Sequence, residues 1–314
     1  MGDKRMKQIA VIGSVVIDLA VQTPRLPTRG ETLLADNFKI GPGGKGANAA
    51  VAVQRAGAAA VLLGCIGDDE FGRMEMAALQ AEGVNVDAVT IHPEASTGVG
   101  IAMIDADGEN TILGVLGAND HLSPDDVTQG VALHQDTLDS ILVNFEVPEP
   151  AVAVAVQLGV DYSIPVIVDA GPARPYTPET WRDCTILTPN EQETETLVGY
   201  PISDDTTAER AARELLGMGP SAVVLHRGAH GALLVTPDDT IHIPSFSVEV
   251  VDTTGAGDAF SGALSVAVAE GLPLMDAVRR ANAAGALAVT CLGTLPIMPT
   301  RQEVDAFLED QREH

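Results

Sequence analysis

From residue 140 to residue 289, apolar runs of strand length alternate with alanine-rich runs of helix length. That alternation limits the fold more than any single motif. Strands are expected over 140–145, 165–168, 185–187 and 222–225, helices over 151–158, 208–216 and 274–289, and a hairpin over 233–235 and 240–243. Such a series folds as a mostly parallel sheet flanked by helices, an α/β domain. Polar residues stand where these strands end: Glu146, Asp169, Asn190 and His226. The carboxyl ends of parallel strands are where an open sheet collects its ligand.

The first half of the chain adds a second theme. Residues 9–13 read as a buried strand continuing into 15–19, where Asp18 stands in apolar company. Residues 60–66 read as another strand, followed by a helix to about Glu82, and Ser123 followed by Pro124 opens a further helix in the favoured order. Residues 31–40 read as a moderately polar strand. Residues 97–105 and 111–116 read as a hairpin, because Asp107-Gly108 is a strong turn signal. These runs are expected to form a small separate sheet. Since no repeat or linker interrupts the chain, residues 1–314 are read as one domain, its small sheet built from segments about 15–40 and 97–117.

Forty-four acidic residues against 18 basic ones leave a formal net charge of −26. Such a surface repels nucleic acid and anionic membranes, so neither is an expected partner. A phosphorylated ligand needs a local anion site working against this field. Cys65, Cys184 and Cys291 are widely separated, with no C-x-x-C pair, and read as free thiols in a reducing compartment. No apolar run reaches membrane-span length, and a cytoplasmic protein is expected.

Two glycine-rich stretches carry the chemistry. In Asp252-Thr253-Thr254-Gly255-Ala256-Gly257-Asp258, a strand through Phe246, Val248 and Val250 is expected to hand over to a helix running from Ala259 to Ala269. N–H groups without intrahelical partners point out of such a turn, and the helix dipole favours an anion there. Asp258 beside that anion hole is placed to take a proton from a hydroxyl attacking phosphorus. By itself the stretch also admits a plain tight turn with an ordinary first-turn acid. The second stretch, Gly41-Pro42-Gly43-Gly44-Lys45-Gly46-Ala47-Asn48, opens a helix to about Arg55. It is not a P-loop, because Gly46 stands where that motif needs Ser or Thr. Its glycines and Asn48 suit a polyhydroxyl ligand.

Together these stretches resemble the two signatures of the ribokinase, or phosphofructokinase-B-type, carbohydrate kinases, and the similarity covers nearly the whole chain. The resemblance implies a ribokinase-like mostly parallel sheet with a small β-sheet lid, and a homodimer paired through that lid. It implies an ATP-dependent kinase acting on the primary hydroxyl of ribose or a related sugar, with a nucleoside or another sugar as the alternative substrate and a non-catalytic sugar-binding relative as the less favoured reading. By resemblance, Asp258 is the base and Gly255, Ala256 and Gly257 are the anion hole. Asp18, Gly44, Lys45, Asn48 and Glu146 fall where the family holds the sugar. Asn190 and Glu193 fall where Mg2+ is organised. His226, Gly228, Gly231, Gly257, Asn282 and Asn190 fall at the ATP site. Asp252, Thr254, Ala288, Cys291 and Gly293 fall at a K+ site. Lys45 is expected to be secondary, a screening charge or backbone hook, and Asp258 to have a low pKa at its helix N-terminus. Two residues depart from the pattern. Val16 replaces an asparagine that contacts the sugar, and Ile297 stands where a hydroxyl residue closes the K+ loop.

Overall fold

β-Branched and leucine-rich runs form the strands, and alternate residues of each strand enter opposite layers of the core. In β1 (Gln8–Ile12), Ile9 and Val11 join the cluster on one face of the central sheet. Ala10 and Ile12 join the cluster on the other. A strand buried on both faces belongs inside a parallel sheet and not at its edge, and β1 is such an interior strand, paired on both sides.

The computed structural model describes residues 5–106, 110–291, 293 and 295–311. After β1 come β2 (Val16–Gln22), β3 (Asn37–Gly43), α1 (Lys45–Arg55), β4 (Ala59–Leu63), β5 (Cys65–Gly67), α2 (Glu70–Ala81) and β6 (Thr90–His92). Next follow β7 (Gly98–Ile104), β8 (Asn110–Val115), α3 (Pro124–His134), β9 (Ser140–Asn144), α4 (Glu149–Tyr162), β10 (Val166–Asp169) and α5 (Pro178–Trp181). The rest is β11 (Ile186–Thr188), α6 (Glu191–Val198), α7 (Asp205–Gly217), β12 (Ala222–His226), β13 (Ala232–Val235), β14 (Thr240–Ile243), α8 (Ala256–Ala269), α9 (Leu274–Ala288) and α10 (Arg301–Asp310).

The central sheet has the order β14-β13-β12-β11-β10-β9-β1-β4. It is parallel from β4 to β12, and the β12–β13–β14 end is antiparallel. Buried side chains of α1, α8 and α9 cover one face, and those of α3, α4 and α7 the other. A separate sheet, β3-β2-β7-β8, pairs β2 antiparallel with β3 and parallel with β7. A third, two-stranded sheet pairs β5 with β6.

Four expectations are corrected. Residues 9–19 are two strands in different sheets, because the chain turns at 13–15: Gly13 N donates to Leu63 O and Val15 N to Asn119 Oδ1. Asp18 therefore stands within the small sheet, not at the end of a central strand. Residues 60–66 likewise split between β4 and β5. Of 31–40 only 37–40 are strand; the start of the segment is held as a turn by Glu31, which binds Arg25 and the Thr28 amide. The run through Phe246, Val248 and Val250 forms no strand. Val251 N and Asp252 N donate to Val289 O instead, and Phe246 packs edge-on against Phe307. The 97–116 hairpin is present as β7 and β8, its Asp107-Gly108 turn lying outside the described residues. Residues 301–310, for which no element was expected, form a helix, α10, with a capping box between Thr300 and Glu303.

Candidate active site

The polar strand ends of the central sheet converge on the N-termini of α1 and α8. Gly255 precedes α8 with φ 78°, a left-handed backbone that favours glycine, and so brings the loop sharply into the helix. The first-turn N–H groups, those of Gly257 and Asp258 among them, have no intrahelical acceptor. Asp258 stands in that turn, 4% exposed. Its Oδ1 accepts from Lys45 Nζ at 2.9 Å, and its Oδ2 from Asn48 Nδ2 at 2.9 Å. Both partners come from α1, whose first turn packs so closely on the end of β1 that a Cβ on Gly46 would overlap the Gly13 backbone. Asn48 Oδ1 is buried without a partner and is available to a ligand hydroxyl.

Lys45 is the hub of the site, not a secondary charge. Its Nζ also lies 3.6 Å from Asp169 Oδ2, at the end of β10. Asp169 is held in turn by Gly171 N at 2.9 Å and Ser261 Oγ at 3.0 Å. Burial opposes the Lys45 charge, but Asp169, Asp258 and Glu193 together outweigh it and hold its pKa well above the ordinary value. Burial pushes the Asp258 carboxyl up, against the pull of Lys45 and Asn48. The low pKa expected from the helix dipole is thus overturned, because burial dominates a first-turn partial charge. Glu193, 6% exposed, is raised by burial and then by Asp169. Sequence reasoning placed Asp169 at a strand end but gave it no role. Its position was the available signal, and no spacing connects it to Lys45.

Glu146 reaches the same place from the end of β9. Gly44, the N-cap of α1, has no side chain, and Glu146 Oε2 accepts from Lys45 N at 3.0 Å and from the Ser14 hydroxyl. Asp18 comes from the small sheet, on the same face of β2 as Val16, which is 7% exposed. A Cβ on Gly100 would lie 2.6 Å from Asp18 Oδ1 and 3.9 Å from Val16 Cγ1. The glycine in β7 thus makes room for both side chains.

On the other side of α8 opens a cavity of about 520 Å³, lined by His226, Gly228, Gly231, Gly257, Phe260 and Asn282, among others. His226 is half-buried against Phe260 with its shielded Nε2 unpartnered, and desolvation lowers its pKa to about 4, so the ring is neutral. Asn190 Oδ1 accepts from Glu193 N, and Glu193 Oε2 accepts from Asn190 N, each at 2.8 Å, forming a capping box at the start of α6. Asp252 accepts from Thr254 N at 2.9 Å and Gly293 N at 3.2 Å, tying the α8 entry loop to the end of α9. Ala288 O there accepts from Cys291 N at 3.4 Å.

The sequence profile of the pfkB family of carbohydrate kinases matches residues 6–301. The chain belongs to that family. It is similar to the ribokinase of Bacillus subtilis, 40% identical over 305 residues that cover 96% of this chain and 100% of that protein. It is 35% identical to the deoxyribokinase of Salmonella typhi, over 96% of this chain and 98% of that one. The structure of Arabidopsis thaliana ribokinase complexed with ribose and ATP superposes with a TM-score of 0.89 at 31% identity, covering 97% and 99% of the two chains. These relatives make the pfkB protein a sugar kinase, a phosphotransferase with an alcohol group as acceptor.

The donor set of this pfkB kinase fits Mg2+ in a hydrated form. Asn190 Oδ1 and Glu193 Oε2 are engaged in the capping box, which leaves Glu193 Oε1. Among the described residues no group of three His, Cys, Asp or Glu side chains forms a ready cage. Mg2+ characteristically keeps several waters and takes one or two carboxylates beside phosphate oxygens.

Proposed function

We propose that the protein is an ATP-dependent ribose kinase whose base is Asp258. The observation that carries this reading is the placement of Asp258. It stands at an uncapped helix N-terminus, between the Lys45–Asn48 turn on one side and the 520 Å³ cavity on the other. When bound, ATP supplies the γ-phosphoryl group and Mg2+ screens its charge. Asp258 takes the proton of the sugar's primary hydroxyl. Its raised pKa makes it a better base than an exposed aspartate, and Lys45 keeps it ionised. The N–H groups of Gly255 and Gly257 receive the charge that develops on the transferring group, that of Ala256 being turned to Thr253 O. Asp18, Gly44, Asn48 and Glu146 hold the sugar, with Asn48 Oδ1 as a free acceptor. His226, Gly228, Gly231 and Asn282 hold the nucleotide, and Glu193, oriented by Asn190, holds the hydrated metal.

The β3-β2-β7-β8 sheet serves as the lid. Its exposed Phe38, Ile40, Ile112, Leu113 and Val115 suit pairing with a second copy, a homodimer. Sedimentation of the protein as a monomer would remove that part of the reading. Asp252, Thr254, Ala288, Cys291 and Gly293 suit K+, which would fix the loop before the anion hole. Equal rates in potassium and in a large organic cation would count against it. The use of ATP and the free Cys65 and Cys184 thiols suit the cytoplasm.

A second reading, a 2-deoxy sugar or a nucleoside as the better substrate, is favoured by Val16. A methyl surface there leaves a sugar hydroxyl unpaired. An ATP-coupled assay over ribose, deoxyribose, fructose, adenosine and cytidine decides between the two. Turnover of none of them sinks the kinase reading.

A further inference from the structure

Helix α2 buries Gly72, Glu75 and Leu79, one stripe of its surface, so a carboxyl occupies the centre of an otherwise apolar face. Glu75 is 0% exposed. Its Oε1 accepts from Gly43 N at 2.9 Å, and its Oε2 is buried with no partner. Gly43 ends β3 and leads directly into Gly44 and Lys45 of the α1 turn. The Asp18 carboxylate fills the space that a Cβ on Gly43 would take. One residue of the glycine-rich turn is thus attended by two carboxyl groups, one on the small sheet and one on α2.

We propose that Glu75, in its protonated form, is the positioning residue of the sugar site, fixing Gly43 and through it the place of Asp18. The inference rests on the reading of Asp18 as a sugar ligand. Burial raises the Glu75 carboxyl, and the Asp18 charge adds to this against the Gly43 hydrogen bond, bringing it to about 8. An isolated buried carboxylate with one hydrogen bond is costly, and a second carboxylate nearby makes it costlier. Among the described residues, the three strands packed most closely on α2 offer Glu75 no compensating charge. β2 contributes Asp18, β3 carries Lys39 at its exposed part, and β5 turns Ile66 towards the α2 side while its Cys65 packs in the opposite cluster. On α2 itself, Glu70 and Arg73 are paired with each other at the surface. Above the Glu75 pKa two like charges face each other across Gly43. Asp18 then gives way, because its side chain is only half-buried whereas Glu75 is locked in the core. Sugar affinity falls while the nucleotide side of the site, beyond Asp258, is untouched.

The test is the KM for ribose and the KM for ATP between about pH 6.5 and 9.5, in wild type and in Glu75→Gln, which mimics the neutral acid. In wild type the ribose KM is expected to rise at least about fivefold above pH 8 while the ATP KM stays level. In Glu75→Gln the ribose KM is expected to stay flat across the range. Glu193 also titrates upward of an ordinary carboxyl, and its effect falls on kcat and the ATP KM, which separates the two groups. Parallel ribose profiles in both proteins, or equal movement of both KM values, would overturn the proposal. Should Glu75→Gln fail to fold, wild type alone still decides by the infrared C=O band of a protonated carboxylic acid. That band must be present at neutral pH and vanish over the interval in which the ribose KM rises. Its absence at neutral pH overturns the proposal. Asp18→Asn separates the underlying reading: an unchanged ribose KM there shows that Asp18 is no sugar ligand, whatever Glu75 does.

Discussion

Lys45→Met keeps the length of the side chain and removes the charge that three buried carboxyls share. At 2.9 Å from Asp258, Lys45 contributes a gross attraction of about 6 kcal/mol at an effective dielectric of about 20. Asp169 at 3.6 Å adds a similar amount. Much of this offsets the burial of the charges themselves, and breaking such a cluster costs about 3–5 kcal/mol net. The Lys45 side chain keeps 23% of its surface exposed, which places the expected loss at the lower end, about 3 kcal/mol at pH 7.5. The sign with pH follows from the shifts. The raised lysine pKa means its contribution is fully present below its ordinary value and is lost only at strongly basic pH. Without Lys45, Asp258 and Glu193 protonate more readily, so the loss shrinks as the pH is lowered towards about 5. Guanidinium unfolding of wild type and variant at the two pH values measures both quantities. A loss below about 1 kcal/mol, or one equal at both pH values, refutes the charge cluster as the reason for Lys45.

Asp258→Asn is expected to lower kcat by about two to four orders of magnitude with nucleotide affinity near that of wild type. Single-turnover rates and equilibrium binding check the two halves separately. Val16→Asn should raise kcat/KM for ribose by roughly ten- to a hundredfold by supplying a partner for one hydroxyl. No change in a folded variant means that Val16 does not face the sugar. Glu75 has a folded pKa of about 8 against an ordinary 4.5, so its stabilisation is complete below 4.5 and is lost as pH rises through 8. Wild type should therefore lose roughly 3 kcal/mol more than Glu75→Gln between about pH 5 and 8, read from paired denaturant titrations.

Most of the fold was legible because its strands are buried on both faces and its helices are written in alanine. Those patterns are local, and they located most elements from Ser140 onward to within a few residues, while α5, α6 and α10 went unread. Where the chain leaves one sheet for another, the pattern carries no mark. Val11 and Ile17 are equally apolar and equally buried, yet they lie in different sheets, because the side-chain amide of Asn119 meets the backbone of Val15. The Phe246–Val250 run misled for a related reason. Its alternation is real, but the apolar residues serve a cavity wall and a contact with α10, neither of which needs a paired strand.

The glycine signatures located the candidate site because backbone approach can be read from glycine alone: a Cβ on Gly46 has nowhere to go. Charges are read less well. A sequence shows that Lys45, Asp169, Glu193 and Asp258 exist, but their burial and mutual distances depend on the end of β10 meeting the N-termini of three helices, α1, α6 and α8. Burial then reverses the simplest expectation. The helix dipole alone would make Asp258 a weak base, whereas burial raises its pKa and Lys45 holds it charged. A base that is buried, paired and aimed at an uncapped helix turn needs the lysine as much as the carboxylate. The same logic explains Glu75, which nothing in its neighbourhood in sequence distinguishes from a surface acid of an amphipathic helix. Only the packing of α2 under Gly43 places that carboxyl where its proton matters.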